Sequence, residues 1–200
     1  MAAGHKGKPR GGGPARGRGA LRPGGGPGPA RLCGGADRLI DDLVSDARSW
    51  IGQLVILGAG FDSRAYRLPG LEQVTVFEVD HPATQQAKRE VLGRVLAGMV
   101  AGDPLAWHVR FVPVDFERDD LGRALRGAGY RDSAPSLFVW EGVTNYLTSA
   151  AVDQTLGAVR GLAATGSLLV FTYVDRAVLA GDDSRFPGDA PLDRRRPAQG

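Results

Sequence analysis

Five predominantly apolar runs divide the central part of the chain. They cover residues 53–57, 74–79, 109–114, 136–140 and 167–174. Runs this short and this apolar are typical of strands that are buried on both faces of a sheet. Before and between them, apolar residues recur at intervals of three and four, which predicts helices over residues 37–50, 81–100, 117–129 and 148–163. Thr148 is the predicted N-cap of the last helix.

This alternation of strands and helices predicts an α/β fold with a doubly wound, mostly parallel sheet of the Rossmann-like type. Consecutive parallel strands need a crossover connection, and each gap between the apolar runs is long enough to hold one. The apolar pattern ends at Val174, apart from a short stretch at 177–180. We therefore expect one folded domain over residues 37–180 and a solvated tail over residues 181–200.

Residues 1–36 differ in composition from the rest of the chain. They hold 13 glycines, five prolines and seven Lys or Arg residues, with no Asp or Glu. Such a segment cannot bury enough apolar surface to offset its ordering entropy, so we predict a disordered extension. Its Arg-Gly spacing is also compatible with RNA binding without sequence preference. The remaining residues carry 18 basic and 22 acidic side chains, a net charge of −4, and we expect no specific nucleic-acid partner.

The single cysteine, Cys33, excludes an intramolecular disulfide and a metal cluster built on several cysteines. No metal ligand set is predicted. No apolar run approaches the roughly 18 residues that a membrane span requires, and the N-terminus lacks the apolar core of a secretory signal. The sequence therefore predicts a cytoplasmic protein without a membrane partner, and it leaves the oligomeric state open.

Glycines and acidic side chains follow the first four apolar runs. In an open α/β sheet, ligands bind beyond the carboxyl ends of the strands, so the residues at these positions are the candidates for a binding site. One acid alone is explained by a helix cap or a solvated charge, but acids at four equivalent ends predict an acidic crevice above a glycine loop. The candidates are Gly58, Gly60, Asp62, Glu78, Asp80, Asp115, Phe116 and Glu141.

The spacing of the glycines partly matches the G-x-G-x-x-G fingerprint of dinucleotide-binding folds. Gly58 and Gly60 fit, Ser63 stands at the third position, and Asp80 follows Gly60 by 20 residues. Asp62, however, would lie near the helix N-terminus that holds a pyrophosphate, where a carboxylate repels the ligand. This repulsion disfavours a nucleotide-dependent oxidoreductase, which we keep as an alternative.

S-adenosyl-L-methionine fits the same residues without this conflict, because it carries a sulfonium and an ammonium group and no phosphate. Gly58 and Gly60 let the backbone approach a ligand closely. An acid at the end of the second strand can accept hydrogen bonds from both ribose hydroxyls. Asp115 can accept one from the exocyclic amine of adenine, while the ring or the main chain of Phe116 covers the base.

Four segments, in this order, carry a resemblance to a known family: "LGAGFDSRAYRL", "VFEVDHPATQQAK", "FVPVDFERDDL" and "LFVWEGVTNYLT". They resemble the leucine carboxyl methyltransferase family, and more closely its bacterial S-adenosylmethionine-dependent branch, over residues 37–180. The resemblance implies a class I methyltransferase fold. It also implies methyl transfer from S-adenosylmethionine to an acceptor, which we expect to be the oxygen of a carboxylate or a hydroxyl group.

The resemblance assigns cofactor contacts by position in these motifs. It implies that Gly58 lies against the cofactor and that Asp80, rather than Glu78, binds the ribose. The remaining motif positions imply an adenine contact at Asp115-Phe116 and a contact near the methionine portion, or the transferred methyl group, at Glu141.

The chain departs from the family pattern on both sides of these motifs. Relatives tend to read A-R-T-R before I-D-D, whereas Ala36 stands here at the first arginine and Arg38 matches the second. That first arginine would pair with the cofactor carboxylate, so its absence implies weaker binding. The two strands that normally close the fold are not recognisable after Val174. A truncated or degenerate relative that binds the cofactor weakly, without turnover, is therefore an alternative.

No catalytic residue is assigned. Methyl transfer from a sulfonium is an in-line displacement, in which an enzyme aligns the acceptor with the methyl group and excludes water. A carboxylate acceptor is already ionised near neutral pH and needs no general base. Asn145 and Tyr146 follow the fourth strand and are candidates to orient the acceptor, whose identity the sequence does not reveal.

Overall fold

The computed structural model describes residues 29–97 and 107–175 of the 200-residue chain, with side chains over 37–95 and 107–175. The described residues form five α-helices, five strands and two short 3-10 helices at Leu71–Gln73 and Thr144–Tyr146. In chain order, the helices and strands are α1 Pro29–Ala47, β1 Gln53–Leu57, α2 Arg64–Arg67, β2 Thr75–Asp80, α3 Pro82–Ala97, β3 Val109–Pro113, α4 Leu121–Gly127, β4 Ser136–Trp140, α5 Ser149–Leu162 and β5 Leu168–Phe171.

The five strands form one parallel sheet in the order β3-β2-β1-β4-β5. The first strand lies in the centre, and the chain moves outward from it to β3 before it crosses over to β4 and β5. This reversal beside β1 is the switch point at which doubly wound folds bind their ligands. The predicted doubly wound, parallel, Rossmann-like sheet is confirmed.

Both faces of the sheet are covered by helices. Val55 and Leu57 of β1 pack in a hydrophobic cluster that includes residues of α4 and α5. Leu54 and Ile56 point to the other face and pack in a second cluster with residues of α1. Every residue of β1 and β4 is buried, which explains why both segments are apolar after their first residue, Gln53 or Ser136, and show no alternating pattern.

Helix α1 begins earlier than the sequence pattern indicates. Its backbone is helical from Pro29, whereas residues 29–36 were assigned to the disordered extension. Proline suits the first helical turn, and the following Ala30, Arg31 and Leu32 are strong helix formers. Composition averaged over residues 1–36 hides this short favourable stretch. Residues 1–28 and 176–200 lie outside the described part, so the extension, the tail and the domain end at 180 stay predictions.

The start of α4 and the presence of three short helices also differ from the prediction, for local reasons. Helix α4 begins at Leu121 rather than at 117, because Asp120 is its N-cap and accepts a hydrogen bond from the backbone nitrogen of Arg123 at 2.9 Å. The segment before it is a turn in which the backbone nitrogen of Asp119 donates to the carbonyl oxygen of Asp115 at 2.8 Å. The short α2 and the two 3-10 helices were not predicted, since four residues or fewer carry no periodicity.

Strand β5 lies at one end of the described sheet, opposite β3. It covers four residues rather than the eight of the apolar run 167–174, and its Leu168 and Phe171 are 42% and 43% exposed. The second apolar stretch, 177–180, lies outside the described residues. None of the helices in the described ranges is long and apolar enough to span a membrane.

Thr148 offers a test of the predicted cap of α5, which the structure confirms. Its Oγ1 accepts from the backbone nitrogen of Ala151 at 3.2 Å and donates to Glu117 Oε2 at 2.9 Å. We expect Thr148→Ala to lower the free energy of unfolding by about 1 kcal/mol in urea denaturation. Asp153→Ala, at an exposed position of the same helix, is the control and should stay within about 0.5 kcal/mol of the wild type. Equal stability of Thr148→Ala and the wild type would contradict the cap.

Candidate functional site

The registers of the central strands bring three candidate residues to the same level of the sheet. Leu57 of β1 pairs with Val79 of β2, so that the following Gly58 lies level with Asp80. Ile56 pairs with Val139 of β4, which places Glu141 level with Gly58 on the other side. Because all pairs are parallel, these residues meet at one edge, which we call the carboxyl edge of the sheet.

Gly58 and Gly60 form a tight loop at this edge. Their φ angles are 67° and 45°, in the left-handed region that favours glycine. The backbone nitrogens of Gly58 and Ala59 both donate to the carbonyl oxygen of Val79, at 2.8 and 3.0 Å. A Cβ atom on Gly58 would lie 2.3 Å from Cγ2 of Val143. The loop therefore bonds to β2 and packs against the segment after β4, so closely that a side chain at Gly58 would clash.

Asp80, the last residue of β2, is bonded to this loop. Its carboxylate accepts hydrogen bonds from the backbone nitrogens of Gly60 and His81, and the residue stays partly exposed. Glu78, two residues earlier in β2, is 1% exposed and pairs with Lys88 inside the protein. The structure thus separates the two neighbouring acids: Asp80 faces the carboxyl edge, and Glu78 is enclosed beneath it.

Asp115 and Phe116, which follow β3, differ in their exposure. The Asp115 carboxylate accepts from the backbone nitrogen of Glu117 at 3.0 Å, and its side chain is 27% exposed at 3.7 Å from Arg118 Nε. Phe116 is 9% exposed, and its ring packs in the hydrophobic cluster beneath α4 and α5. The sequence predicted that either the ring or the main chain of Phe116 would cover a bound base. Because the ring is buried in the core, only the main chain is available at the carboxyl edge.

A buried arginine joins three parts of the carboxyl edge. Arg64, the first residue of α2, has a side chain that is 6% exposed. Its Nη2 lies 2.8 Å from Oε2 of Glu141, and its Nη1 lies 2.7 Å from Oδ2 of Asp62 in the glycine loop. Its Nε donates to Oδ1 of Asp41 on α1 at 2.8 Å. One guanidinium group therefore ties α1, the glycine loop and the segment after β4 together.

Further charges complete this group of side chains, which we call the Arg64 cluster. Asp37 lies 3.6 Å from Arg64, and Arg67 lies 2.8 Å from Asp41. Four carboxylates against two guanidinium groups give a net charge of −2, so this edge attracts a cation and repels an anionic ligand. The cluster consists of Asp37, Asp41, Asp62, Arg64, Arg67 and Glu141.

The pKa values of two carboxyl groups in the cluster are shifted in opposite directions. Burial raises the pKa of Glu141, against the opposing charge of Arg64 and with a contribution from Asp37. For Asp41 the hydrogen bond from Arg67, together with the bond from Arg64, lowers the pKa despite partial burial. Asp41 therefore stays ionised in its ion pairs, whereas protonation of Glu141 sets in at a higher pH than for an ordinary glutamate.

Sequence reasoning placed Asp62 and Glu141 in the crevice but missed the cation between them. The contact that joins Arg64 to Asp41 spans 23 residues of sequence, and no local pattern predicts such a pairing. One signal was available: Asp37 and Asp41 stand four residues apart and therefore share a face of α1. Two acids on one helix face are compatible with a shared cation, but the same spacing also occurs on solvated helix faces, so it does not predict the pairing.

Two aromatic side chains flank the carboxyl edge and stay exposed. Phe61 in the glycine loop is 63% exposed, and Tyr146 in the 3-10 helix after β4 is 81% exposed. Asn145 beside it is exposed as well. Tyr146 is therefore not buried against the helix that follows it, and its side chain is accessible at the carboxyl edge.

Comparison with known proteins identifies the family. A family model described as leucine carboxyl methyltransferase matches residues 26–160. This range contains β1 to β4, all the candidate residues and the whole Arg64 cluster. The chain belongs to the leucine carboxyl methyltransferase family. The resemblance read from the four sequence motifs is thereby confirmed.

Individual relatives agree with the family assignment. A protein of Mycobacterium sp. (strain KMS), named "Putative S-adenosyl-L-methionine-dependent methyltransferase", is 40% identical over 147 residues, which cover 73% of this chain and 46% of the relative. A protein of the same name from Mycobacterium avium (strain 104) is 41% identical over 133 residues, 66% of this chain and 40% of the relative. The chain thus spans less than half the length of these curated relatives.

Among solved structures, an O-methyltransferase family protein from Burkholderia thailandensis superposes with a TM-score of 0.49 at 20% identity. The superposition covers 76% of this chain and 42% of that protein.

A substitution at Gly58 tests the close packing of the loop in this family member. Gly58→Ala combines a positive φ with a clash against Val143, whereas Gly129→Ala has a φ of 94° with no atom within 4 Å of the added Cβ. We expect Gly129→Ala to lower the free energy of unfolding by about 1–2 kcal/mol and Gly58→Ala by roughly 1–3 kcal/mol more. Urea denaturation measures both. Equal losses would contradict the contact with Val143.

Proposed function

We propose that this domain binds S-adenosylmethionine at the carboxyl edge of its sheet and takes part in transfer of the methyl group to an oxygen atom of a carboxylate or hydroxyl acceptor. The observation that carries the proposal is the Arg64 cluster: a partly buried group of net charge −2 directly beside a glycine loop. A cofactor with an ammonium and a sulfonium group matches this charge. The names of the mycobacterial relatives point to the same cofactor.

The residues at the edge fit the separate parts of this cofactor. Gly58 and Gly60 would let its central portion lie against the backbone. Asp80 would accept hydrogen bonds from the ribose hydroxyls, since two backbone nitrogens leave further lone pairs of its carboxylate available. Glu141 would face the ammonium group of the methionine portion.

The adenine end would lie at the turn after β3. The Asp115 carboxylate is partly exposed and would accept from the exocyclic amine, and the main chain of Phe116 would lie along the base. The buried Phe116 ring would support this turn from below rather than stack on the ligand.

When bound, S-adenosylmethionine supplies a methyl group on a positively charged sulfur, ready for in-line displacement. The residues of this chain would bind and orient it and exclude water from one side. A carboxylate acceptor needs no proton acceptor, which agrees with the lack of an assigned general base. Tyr146 and Asn145, both exposed at this edge, are the side chains that we assign to orienting the acceptor.

One observation favours a second function, cofactor binding without turnover. Ala36 stands where the family resemblance implies an arginine that pairs with the cofactor carboxylate. The oxidoreductase alternative is disfavoured further, because the Arg64 cluster keeps its excess of carboxylates even after Asp62 is paired. A diphosphate would meet this excess at close range.

Calorimetric titration with S-adenosylmethionine and with NAD tests the proposed cofactor. We expect saturable heat from the first and none from the second. Asp80→Asn should weaken the affinity about tenfold or more, since a charged acceptor of two hydroxyl groups is lost. Asp132→Asn is the control, because Asp132 is a surface carboxylate paired with Arg126, and it should leave the affinity unchanged. Binding of NAD without binding of S-adenosylmethionine would refute the proposal.

The pH dependence of binding tests the role of Glu141. Its pKa is raised, so it takes up a proton as the pH falls, and the protonated carboxyl loses its attraction for an ammonium group. We expect the affinity, measured by calorimetry, to decrease as the pH is lowered from neutral, and the decrease should begin at a higher pH than an ordinary glutamate would give. Glu141→Gln should bind more weakly near neutral pH and depend less on pH. The same pH profile in both proteins would show that Glu141 does not face the cofactor.

A further inference from the structure

A buried ion pair lies directly beneath the glycine loop. Lys88 on α3 is 4% exposed, and its Nζ lies 2.7 Å from Oε2 of Glu78, which is 1% exposed. The same Nζ donates to the backbone carbonyl oxygen of Asp62, also at 2.7 Å. The ammonium group further lies over the ring of Tyr66, 5.4 Å from its centroid. Lys88 therefore connects β2, α3 and the glycine loop from inside the protein.

The ion pair alone does not explain why a lysine is present there. The desolvation cost of a buried pair offsets much of its attraction, and well-packed apolar residues of similar volume are often as stable. At this position the burial of Glu78 raises its pKa even with Lys88 in contact. The contact that an apolar pair could not replace is the hydrogen bond from Lys88 to the loop carbonyl.

That carbonyl belongs to Asp62, which bonds both to the glycine turn and to Arg64. The backbone nitrogen of Asp62 donates to the carbonyl oxygen of Ala59 at 2.7 Å, which closes the turn after Gly58. The Asp62 carboxylate bonds to Arg64, which also holds Glu141. Fixing the main chain of Asp62 thus fixes both the glycine turn and one side of the Arg64 cluster.

We propose that Lys88 is a positioning residue for the cofactor site: through Asp62 it holds the glycine loop in the conformation that binds S-adenosylmethionine. This inference rests on the proposed function. Lys88 would not touch the ligand, because it is buried on the interior side of the loop. Its effect on binding is transmitted by one hydrogen bond to the main chain.

The test separates the stability of the ion pair from the position of the loop. Lys88→Met alone leaves Glu78 buried without a partner and should lower the thermal midpoint by more than about 10 °C. Glu78→Leu combined with Lys88→Met removes both charges and should bring the midpoint to within about 5 °C of the wild type. If this double variant does not fold, Glu78→Gln combined with Lys88→Met takes its place.

Two readouts are then compared in the folded double variant. Amide hydrogen exchange over residues 59–63, measured without any ligand, should be faster than in the wild type. The dissociation constant for S-adenosylmethionine, measured by calorimetry, should rise about tenfold, the loss expected for one charge-assisted hydrogen bond. Val159→Ala, a buried position of α5 on the other face of the sheet, is the control: it should lower the midpoint and change neither readout.

Each outcome decides a separate point. Unchanged exchange in the loop, or an unchanged dissociation constant, would overturn the positioning role of Lys88. Faster exchange and weaker binding in the double variant alone would support it. If the wild type itself does not bind S-adenosylmethionine, the proposed function fails, and with it the cofactor part of this inference, whereas the exchange data still report whether Lys88 holds the loop.

Discussion

In the centre of the sheet, β1 pairs in parallel with β2 on one side and with β4 on the other. Because of this pairing, Gly58, Asp80 and Glu141 reach the same edge at the same level. They come from segments that are more than 20 residues apart in sequence. The close contact between Gly58 and Val143 depends on the same alignment, since it requires the segment after β4 to pass directly beside the loop.

Two groups of charged side chains lie on opposite sides of the glycine loop. On the outer side, Arg64 gathers carboxylates from α1, the loop and the end of β4, and the group keeps a net charge of −2. On the inner side, Lys88 neutralises Glu78 and bonds to the loop carbonyl. Asp62 contacts both groups: its carboxylate pairs with Arg64, and its main-chain carbonyl accepts a hydrogen bond from Lys88. The loop is therefore fixed from below, while the negative charge of the Arg64 cluster remains at the carboxyl edge.

The fold was predictable because the signals that specify it are local. Apolar runs marked β1 to β5, and Thr148 marked the start of α5. The site was predictable only in part. Position after a strand correctly placed Asp80, Asp115 and Glu141 at the carboxyl edge, where their cofactor contacts stay predictions. Arg64 was missed because its partners come together only in the folded chain. The Phe116 ring points inward because of how the turn after β3 packs on the core, and this packing cannot be read from the spacing of residues in the sequence.

The proposed binding of S-adenosylmethionine at the carboxyl edge can be followed residue by residue by nuclear magnetic resonance of the amide groups during titration. We expect saturable shifts concentrated at residues 58–62, 80–81, 115–117 and 141–142. The opposite edge of the sheet, around Trp50 and Trp107, should not respond. Absence of shifts, or shifts concentrated at that opposite edge, would show that the cofactor does not bind at the carboxyl edge.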